Sequence, residues 1–340
     1  MGVSADIISN RISHCLQSSS IEVRFCQKRS NVANCRNIEF CRFTVKLWGT
    51  EEGVHVEVQK IYGDAVSFNR DCRTILNAAE GITSFKKESE DIPLYQRRPE
   101  LSMSFLKNVK VPELDEEKAL ADELRVTSDL LSSKKCDAII LGMENLAIIT
   151  NPNKIRRSMA MEASRWVLCP VDNVKKHPFN LHKYVMSLLV GEEKRFTDLS
   201  YDDASTTSSQ NNIAVMIAFD DYAARLRNLG MKVLFNSLCL LFDEGQLSSV
   251  LTPHAGWYMI ELLPQLIGDL QSAAYHLQDA CYACRCLSIL ANSSVNFVAR
   301  MQELGIHDAL CIAEEVGMRE FALLEQDAGM CLRSLIGLCV

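Results

Sequence analysis

The sequence lacks the short motifs that mark several common enzyme classes. It contains no G-x-G-x-x-G loop, no H-R-D or D-F-G sequence, no G-x-x-x-x-G-K-[ST] loop, no G-x-S-x-G elbow and no H-E-x-x-H pair. These motifs hold phosphate groups and metal ions, or activate a nucleophile. We therefore predict that the chain is not an enzyme of these classes. An enzyme whose site has no local motif stays open as an alternative.

Long hydrophobic runs are also missing. The N-terminal stretch MGVSADIISNRISHCLQ has no apolar core of the kind that a signal peptide needs. The longest apolar run extends from Val233 to Phe242, well short of the roughly 18 residues of a membrane span. Asp6 occupies a position where an N-myristoylation signal requires Ser or Thr, and Cys339 lies too near the end for prenylation. The sequence predicts no membrane span and a cytoplasmic location, with the nucleus as an alternative.

The chain has no strong excess of charge of one sign. Its 36 Lys and Arg face 43 Asp and Glu, which gives a formal net charge of −7. Residues 1–112 hold 16 basic and 13 acidic side chains, so residues 113–340 hold 36 − 16 = 20 and 43 − 13 = 30. A net acidic chain is a poor electrostatic partner for nucleic acid, and we expect no nucleic-acid binding.

The 14 cysteines predict neither a disulfide framework nor a metal site. In a protein that is not secreted, cysteine is usually reduced and packs as a small apolar residue. Cys281, Cys284 and Cys286 lie in an Ala-rich helical segment, and no second C-x-x-C or C-x-x-H pair stands at a suitable distance for zinc. A looser group (His14, Cys15, Cys26, Cys35, Cys41) is the alternative metal cluster. We predict no metal and no other cofactor.

The N-terminal part has the pattern of a small α+β module. Residues 39–62, EFCRFTVKLWGTEEGVHVEVQKIY, alternate apolar and polar side chains around a glycine-containing turn, which predicts a β-hairpin. The segment Asp71 to Glu80 has apolar residues at helical spacing and is followed by Gly81, a helix-stop signal. We place the module at 1–85 and a proline-containing, highly charged linker at 86–112.

Residues 113–340 have apolar residues at helical spacing and show self-similarity at 48 residues. A shift of the segment that begins at Asp279 aligns Asp279 with Asp327, Arg285 with Arg333, and Leu287 with Leu335. A backward shift of 48 reaches Met231, and one of 144 pairs Leu290-Ala291 with Leu146-Ala147. A further copy from His182 needs a gap. A non-repetitive helical domain with a similar composition is the alternative.

This region resembles an armadillo-type array, most clearly in HLQDACYACRCLSILANSSVNFVARMQELGIHDALCIAEEV. The resemblance implies a mainly α fold, an armadillo-like α-solenoid preceded by the small α+β module. In such arrays each helical pair buries its apolar face against its neighbours, and the stack leaves an extended surface on which a protein partner binds. The sequence thus predicts a non-catalytic scaffold or adaptor.

The N-terminal module resembles the kinase-associated C-terminal domain in the stretch CRFTVKLWGTEEGVHVEVQKIYGDAVSFNRDCRTIL. That family binds anionic phospholipid or docks on its kinase, so the resemblance implies a regulatory, kinase-associated or lipid-binding protein as the alternative function. A solvated strand face is the simpler interpretation of the basic cluster. The candidate anion-binding or partner-binding residues are Arg24, Lys28, Arg29, Arg36, Arg42 and Lys46.

Two neighbouring aromatic residues complete the candidate list. Trp257 and Tyr258 lie in an apolar helical context near His254. Tryptophan and tyrosine are enriched in the residues that dominate binding energy at protein interfaces. We therefore treat both as possible interface residues, with burial in the helical core as the alternative.

Overall fold

The computed structural model describes residues 3–26, 29–51, 53–82, 116–170, 180–190 and 209–338. The chain divides into two compact units, Met1–Leu16 with Val23–Ala119 and Gln17–Glu22 with Leu120–Val340. The predicted fold class is confirmed, because a small module with a four-stranded sheet precedes a long series of helices. The predicted linker at 86–112 lies outside the described residues.

The first unit combines two helices with one sheet. The strand order is β1-β2-β3-β4, so β4 and β1 are the edges. The pairs β2·β3 and β3·β4 are antiparallel. The elements are α1 (Ala5–Ser18), β1 (Glu22–Cys26), β2 (Arg29–Arg36), β3 (Arg42–Thr50), β4 (Gly53–Tyr62) and α2 (Ala65–Glu80).

The predicted hairpin at 39–62 is confirmed as β3 and β4. Val45 pairs with Val58 and Leu47 with Val56, as the alternation of apolar residues requires. Phe43 and Val45 are buried on one face, where Phe43 contacts Phe68 of α2 at a ring-centroid distance of 6.0 Å. Thr44 and the next residue but one on either side, Arg42 and Lys46, therefore point to the opposite face of the sheet.

Helix α2 begins six residues earlier than the predicted start at Asp71. The Asp64 carboxylate accepts a hydrogen bond from the Ser67 backbone N–H at 2.7 Å and so caps the first turn. The predicted end is confirmed, because Gly81 adopts a left-handed conformation with φ of 81° and caps the C-terminus. The polar run Asn69-Arg70-Asp71 separates the first turn from the apolar residues that predicted the helix.

A buried polar cluster fixes the connection between β2 and β3. The Asn37 side chain donates to Ser67 Oγ and to Asp71 Oδ2, each at 2.6 Å. Its Oδ1 accepts from the backbone N–H groups of Glu39 and Cys41. Because every polar atom of this amide is used, the turn holds the end of β2 against the start of β3 and aligns the side chains that flank it.

The described residues from 116 onward are helical apart from short connections. The elements are α3 (Glu116–Leu131), α4 (Cys136–Ile149), α5 (Arg157–Leu168), α6 (Leu181–Leu189), α7 (Ser209–Asp243), α8 (Leu247–Leu251), a 3-10 turn (Thr252–His254), α9 (Ala255–Trp257), a π-helical turn (Tyr258–Leu262), α10 (Leu263–Gln271), α11 (Leu277–Ser293), α12 (Val295–Glu303), α13 (Ile306–Glu320) and α14 (Ala322–Leu338). None of the helices in the described part combines the length and apolarity that a membrane crossing requires.

Helices α4, α7, α11 and α14 pack side by side, and we call this set the row. Helices α5 and α6 pack against α7, α10 packs against α11, and α13 packs against α14. A second layer thus supports the row. One hydrophobic core runs from Leu120 to Leu335 through these layers.

The spacing of 48 residues corresponds to one step along the row from α7 to α11 and from α11 to α14. Asp279 and Asp327 are both buried, as are Leu287 and Leu335. The shift of 144 residues joins α11 to α4. Although 144 is three times 48, these helices are two steps apart along the row, because α4 packs directly on α7. The predicted copy at His182 is wrong as a member of the row: it forms α6, which lies against α5 and α7. Helices α5 and α6 lie between α4 and α7 in the sequence, so these two neighbours in the row are more than 48 residues apart.

A buried ion cluster joins three helices and the end of a fourth. Arg227 of α7 contacts both carboxylate oxygens of Asp269 on α10, at 2.6 and 2.8 Å, and lies 3.7 Å from Asp279 on α11. It also donates to the Leu188 and Leu189 carbonyls at the end of α6. One cation thus faces two buried carboxylates. Burial raises the pKa of Asp269 to about 6, Asp279 acts in the same direction, and Arg227 and His276 oppose the shift.

This cluster predicts a pH dependence of the free energy of unfolding. The pKa of Asp269 is about 6 in the folded unit, above its ordinary value of 3.8. The folded unit therefore binds the proton more tightly, and the contribution of Asp269 to stability is full below pH 3.8 and is lost as the pH rises through about 6. We expect wild type to lose stability relative to Asp269→Asn over this window, by up to ~1.4 kcal/mol per pH unit.

Urea denaturation of both proteins across that pH range measures the difference. Asp243→Asn, at an exposed carboxylate on α7, is the matched control and should show no such trend relative to wild type. If wild type instead gained stability relative to Asp269→Asn as the pH rises, the pKa of Asp269 would be lowered in the folded unit, contrary to this prediction.

Candidate interaction surface

The row has one side that no described helix covers completely. Helix α11 is mostly buried. Its side chains that stay partly or fully exposed are Tyr282, Arg285, Ser288, Ile289, Asn292 and Ser293, and four of them, Tyr282, Arg285, Ile289 and Asn292, follow the i, i+3, i+7, i+10 spacing of a single stripe. The stripe therefore marks the outward side of α11 between its two neighbours in the row.

The neighbouring helices extend this stripe. On α7, the Phe235 ring lies 6.0 Å from the Tyr282 ring, and Phe242 follows two turns later on the same side. On α14, Ser334 Oγ lies 3.5 Å from Ser288 Oγ, and Met330 precedes it by one turn. We call this surface the row face and define it by Phe235, Phe242, Tyr282, Arg285, Ile289 and Met330.

Phe242 and Met330 are the most exposed apolar side chains of the row face. They are 40% and 44% exposed, respectively. Phe235, Tyr282 and Ile289 are half-buried and pack against the core. Exposed apolar groups on a rigid and supported base are typical of surfaces that bind another macromolecule.

Arg285 is the one cation in this set of six. Its Nε lies 2.8 Å from Asp327 Oδ2 on α14, and the guanidinium carbon lies 5.7 and 5.8 Å from the ring centroids of Phe235 and Tyr282. Burial lowers the pKa of Arg285, but its bond to Asp327 outweighs this effect and the net shift is upward. Burial raises the pKa of Asp327. The guanidinium is therefore charged and held between two rings and a carboxylate.

The predicted basic cluster is brought together only in part. Arg36 of β2 and Arg42 of β3 are directly paired, and Lys46 points to the same face of the sheet, opposite Phe43. Lys46 also contacts Glu57 at 3.3 Å. Lys28 lies outside the described residues. Arg24 is exposed on β1, and Arg29 lies in β2.

Aromatic residues accompany these cations. The Arg42 guanidinium lies 5.6 Å from the Tyr62 ring, and the Arg36 guanidinium lies 5.0 Å from the Phe40 ring. Trp48 of β3 lies on the same face as Lys46 and is 40% exposed. We call the surface of Arg36, Arg42, Lys46 and Trp48 the sheet face.

Tyr258 and Trp257 have different environments. Tyr258 is fully buried, and its hydroxyl donates to the Leu168 carbonyl, so it cannot contact a partner as an interface residue. Burial raises its pKa well above the ordinary value. Trp257 is half-buried, and its ring contacts those of Tyr258 and His182, each at 5.2 Å. The core alternative is thus correct for Tyr258.

The π-helical turn beside these aromatics has a local cause. Pro264 has no backbone N–H, so the regular helical bonding is interrupted at this point. The Leu263 N–H donates instead to the Tyr258 carbonyl, five residues earlier. Arg300 of α12 donates to the Met259 carbonyl at 3.4 Å. The Met259 carbonyl, which the Leu263 N–H does not bond, therefore has a partner in Arg300.

The cysteines of α11 belong to the core. Cys281, Cys284 and Cys286 are buried, and burial raises the pKa of each thiol. Such thiols are poor nucleophiles at neutral pH because the reactive form is the thiolate. Within the described ranges, no group of three or more His, Cys, Asp or Glu side chains could hold a metal ion.

Sequence reasoning did not identify the row face, although one signal was present. From Ala280 onward, Tyr282, Arg285 and Asn292 are the large polar residues of α11, and they share one stripe. No protein-family model and no curated protein matches the chain.

Proposed function

We propose that the chain is a non-catalytic interaction scaffold, in which an armadillo-type helical array binds a protein partner on the row face. The observation that carries this proposal is the continuous surface that α7, α11 and α14 form with aromatic, aliphatic and arginine side chains. Helix α10 packs on α11 and α13 packs on α14, and this layer supports the surface from behind. A preorganised surface loses little conformational freedom on binding, which favours affinity.

The experiment is a selection of displayed random peptides on the immobilised full chain. The test variant is Phe242→Asp with Met330→Glu, which changes two exposed side chains of the row face. The control is Ile312→Glu, an apolar-to-acidic change at an exposed position on α13. Selected peptides should bind wild type and control alike, and the test variant at least about tenfold more weakly.

Two results would contradict the scaffold proposal. If the chain selects no peptides, it does not present a binding surface of this kind. If peptides are selected and bind the test variant as tightly as wild type, the row face is not that surface.

The sheet face supports a second candidate function, binding of an anionic lipid surface by the first unit. Three cations and an exposed tryptophan share this face. Each lysine or arginine near an anionic membrane contributes on the order of 1 kcal/mol, and tryptophan prefers the membrane interface. The resemblance to the kinase-associated domain agrees with such a role and with docking on a kinase.

Flotation of the full chain with liposomes tests this candidate. We expect binding to phosphatidylserine-containing vesicles, weaker binding by Arg42→Gln with Lys46→Gln, and no binding to pure phosphatidylcholine. Arg73→Gln with Lys60→Gln, at exposed positions outside the defined face, is the charge-matched control. Equal binding to both vesicle types, or none, would remove this candidate.

A further inference from the structure

Arg285 uses only part of its hydrogen-bonding capacity. A guanidinium has five N–H donors, one on Nε and four on the two Nη atoms. Its Nε contacts Asp327, whereas no described residue accepts a hydrogen bond from either Nη atom. The side chain is 29% exposed and lies on the row face. Its remaining donors are therefore available on the side of the row that faces away from the supporting layer.

The surroundings of Arg285 hold the guanidinium in place. Asp327 fixes it from α14, and its side chain is only 2% exposed, so this carboxylate is not itself presented to a partner. The rings of Phe235 and Tyr282 flank it from α7 and α11. A fixed, partly desolvated arginine binds a carboxylate through two parallel hydrogen bonds more strongly than a mobile surface lysine does.

The chemistry of the row face discriminates among partner segments. A purely apolar segment would cover the Nη donors without providing acceptors, which is unfavourable. A basic segment would place like charges together. A carboxylate flanked by apolar side chains fits this surface in two ways. The carboxylate accepts hydrogen bonds from the Nη atoms of Arg285, and its apolar neighbours can contact Phe242 and Met330 on either side.

We infer that the row face receives a partner segment that places an Asp or Glu carboxylate on the Nη atoms of Arg285 and apolar side chains on the flanking residues. This inference rests on the proposed scaffold function and names the chemistry of its partner. Arg285 is the specificity-determining residue of that surface.

The experiment uses the peptides selected on the full chain and a double-mutant cycle. The protein variant is Arg285→Gln with Asp327→Asn, which removes both charges and leaves neither partner buried with an uncompensated charge. The control is Arg319→Gln with Glu315→Gln, an exposed ion pair on α13. Each peptide is also made with its acidic residue replaced by the corresponding amide.

We expect the selected peptides to be enriched in Asp or Glu beside aliphatic or aromatic residues. The affinity for the acidic peptide should fall about tenfold or more in the variant and stay unchanged in the control. The amide peptide should bind wild type and variant about equally, because it has no carboxylate for the Arg285 guanidinium to contact.

Peptides without acidic enrichment, or an acid-to-amide change that costs as much in the variant as in wild type, would overturn the inference and leave the scaffold proposal standing. If no peptide is selected, both fail. Thermal unfolding checks that the variant is folded. Should it unfold, the acid-to-amide change measured on wild type decides the inference, with Phe242→Asp locating the peptide on the row face.

Discussion

Replacing Arg227 with alanine is expected to destabilise the second unit by about 3–5 kcal/mol. The substitution leaves Asp269 and Asp279 buried without their shared cation, and it removes the donors to the carbonyls of Leu188 and Leu189. A buried carboxylate that has lost its cation is far more costly than the ion pair, because the attraction no longer offsets its desolvation. The effect should exceed that of losing an ordinary surface ion pair several-fold.

Denaturant unfolding followed by tryptophan fluorescence measures this effect, since Trp166 and Trp257 both lie in the second unit. Arg319→Ala is the matched control: it removes an exposed arginine paired with Glu315 and should cost less than about 1 kcal/mol. Arg227→Lys keeps the charge but loses the planar guanidinium, so its loss of stability should lie between those of Arg227→Ala and Arg319→Ala. An Arg227→Ala protein as stable as the control would show that the cluster contributes no net stability.

The second large effect is expected at Gly317, where α13 lies against the backbone of α14. A Cβ atom at this position would lie 2.3 Å from the Glu325 nitrogen, 2.7 Å from its Cα and 2.9 Å from the Leu324 carbonyl carbon. These are backbone atoms, so no side-chain rotation can relieve the clash. We expect Gly317→Ala to destabilise the unit by about 1–3 kcal/mol, through displacement of α14 from α13.

Replacing Gly268 with alanine should instead increase the free energy of unfolding. Gly268 lies within α10, and a Cβ there meets no atom within 4 Å. Alanine should then stabilise the helix by roughly 0.5–1 kcal/mol, because it restricts the unfolded chain and favours helical geometry. Thermal unfolding of the two variants should shift in opposite directions. If the unfolding temperatures of both variants shifted in the same direction, the contact between Gly317 and the α14 backbone would not limit how these helices pack.

Local patterns predicted the hairpin and the end of α2, because each depends on neighbouring residues. Alternation in β3 and β4 and the stop at Gly81 are properties of a few consecutive positions. Strands β1 and β2 were missed for the same reason. The segment RSNVANCR of β2 contains few apolar residues, and its place in the sheet depends on pairing with β3.

Sequence patterns did not predict the contacts between residues that are far apart in the chain. Arg227 meets Asp269 and Asp279, and Arg285 meets Asp327, at separations that differ from 48 residues. The repeat shift aligned Arg285 with Arg333, but it could not show that Arg285 pairs with the carboxylate of the next helix in the row. Likewise, apolar composition alone did not separate buried Tyr258 from half-buried Trp257. These distinctions arise from packing.

The burial of the cysteines has a practical consequence for spectroscopy. Among the described cysteines, Cys311 of α13 is the exposed one, whereas those of α11 are enclosed in the core. With Cys26 and Cys339 replaced by serine, a maleimide dye should attach at Cys311 ahead of the other sites under native conditions. A fluorophore there would place an optical reporter on the supporting layer, away from the row face, so that a bound peptide could be followed without blocking the surface it occupies.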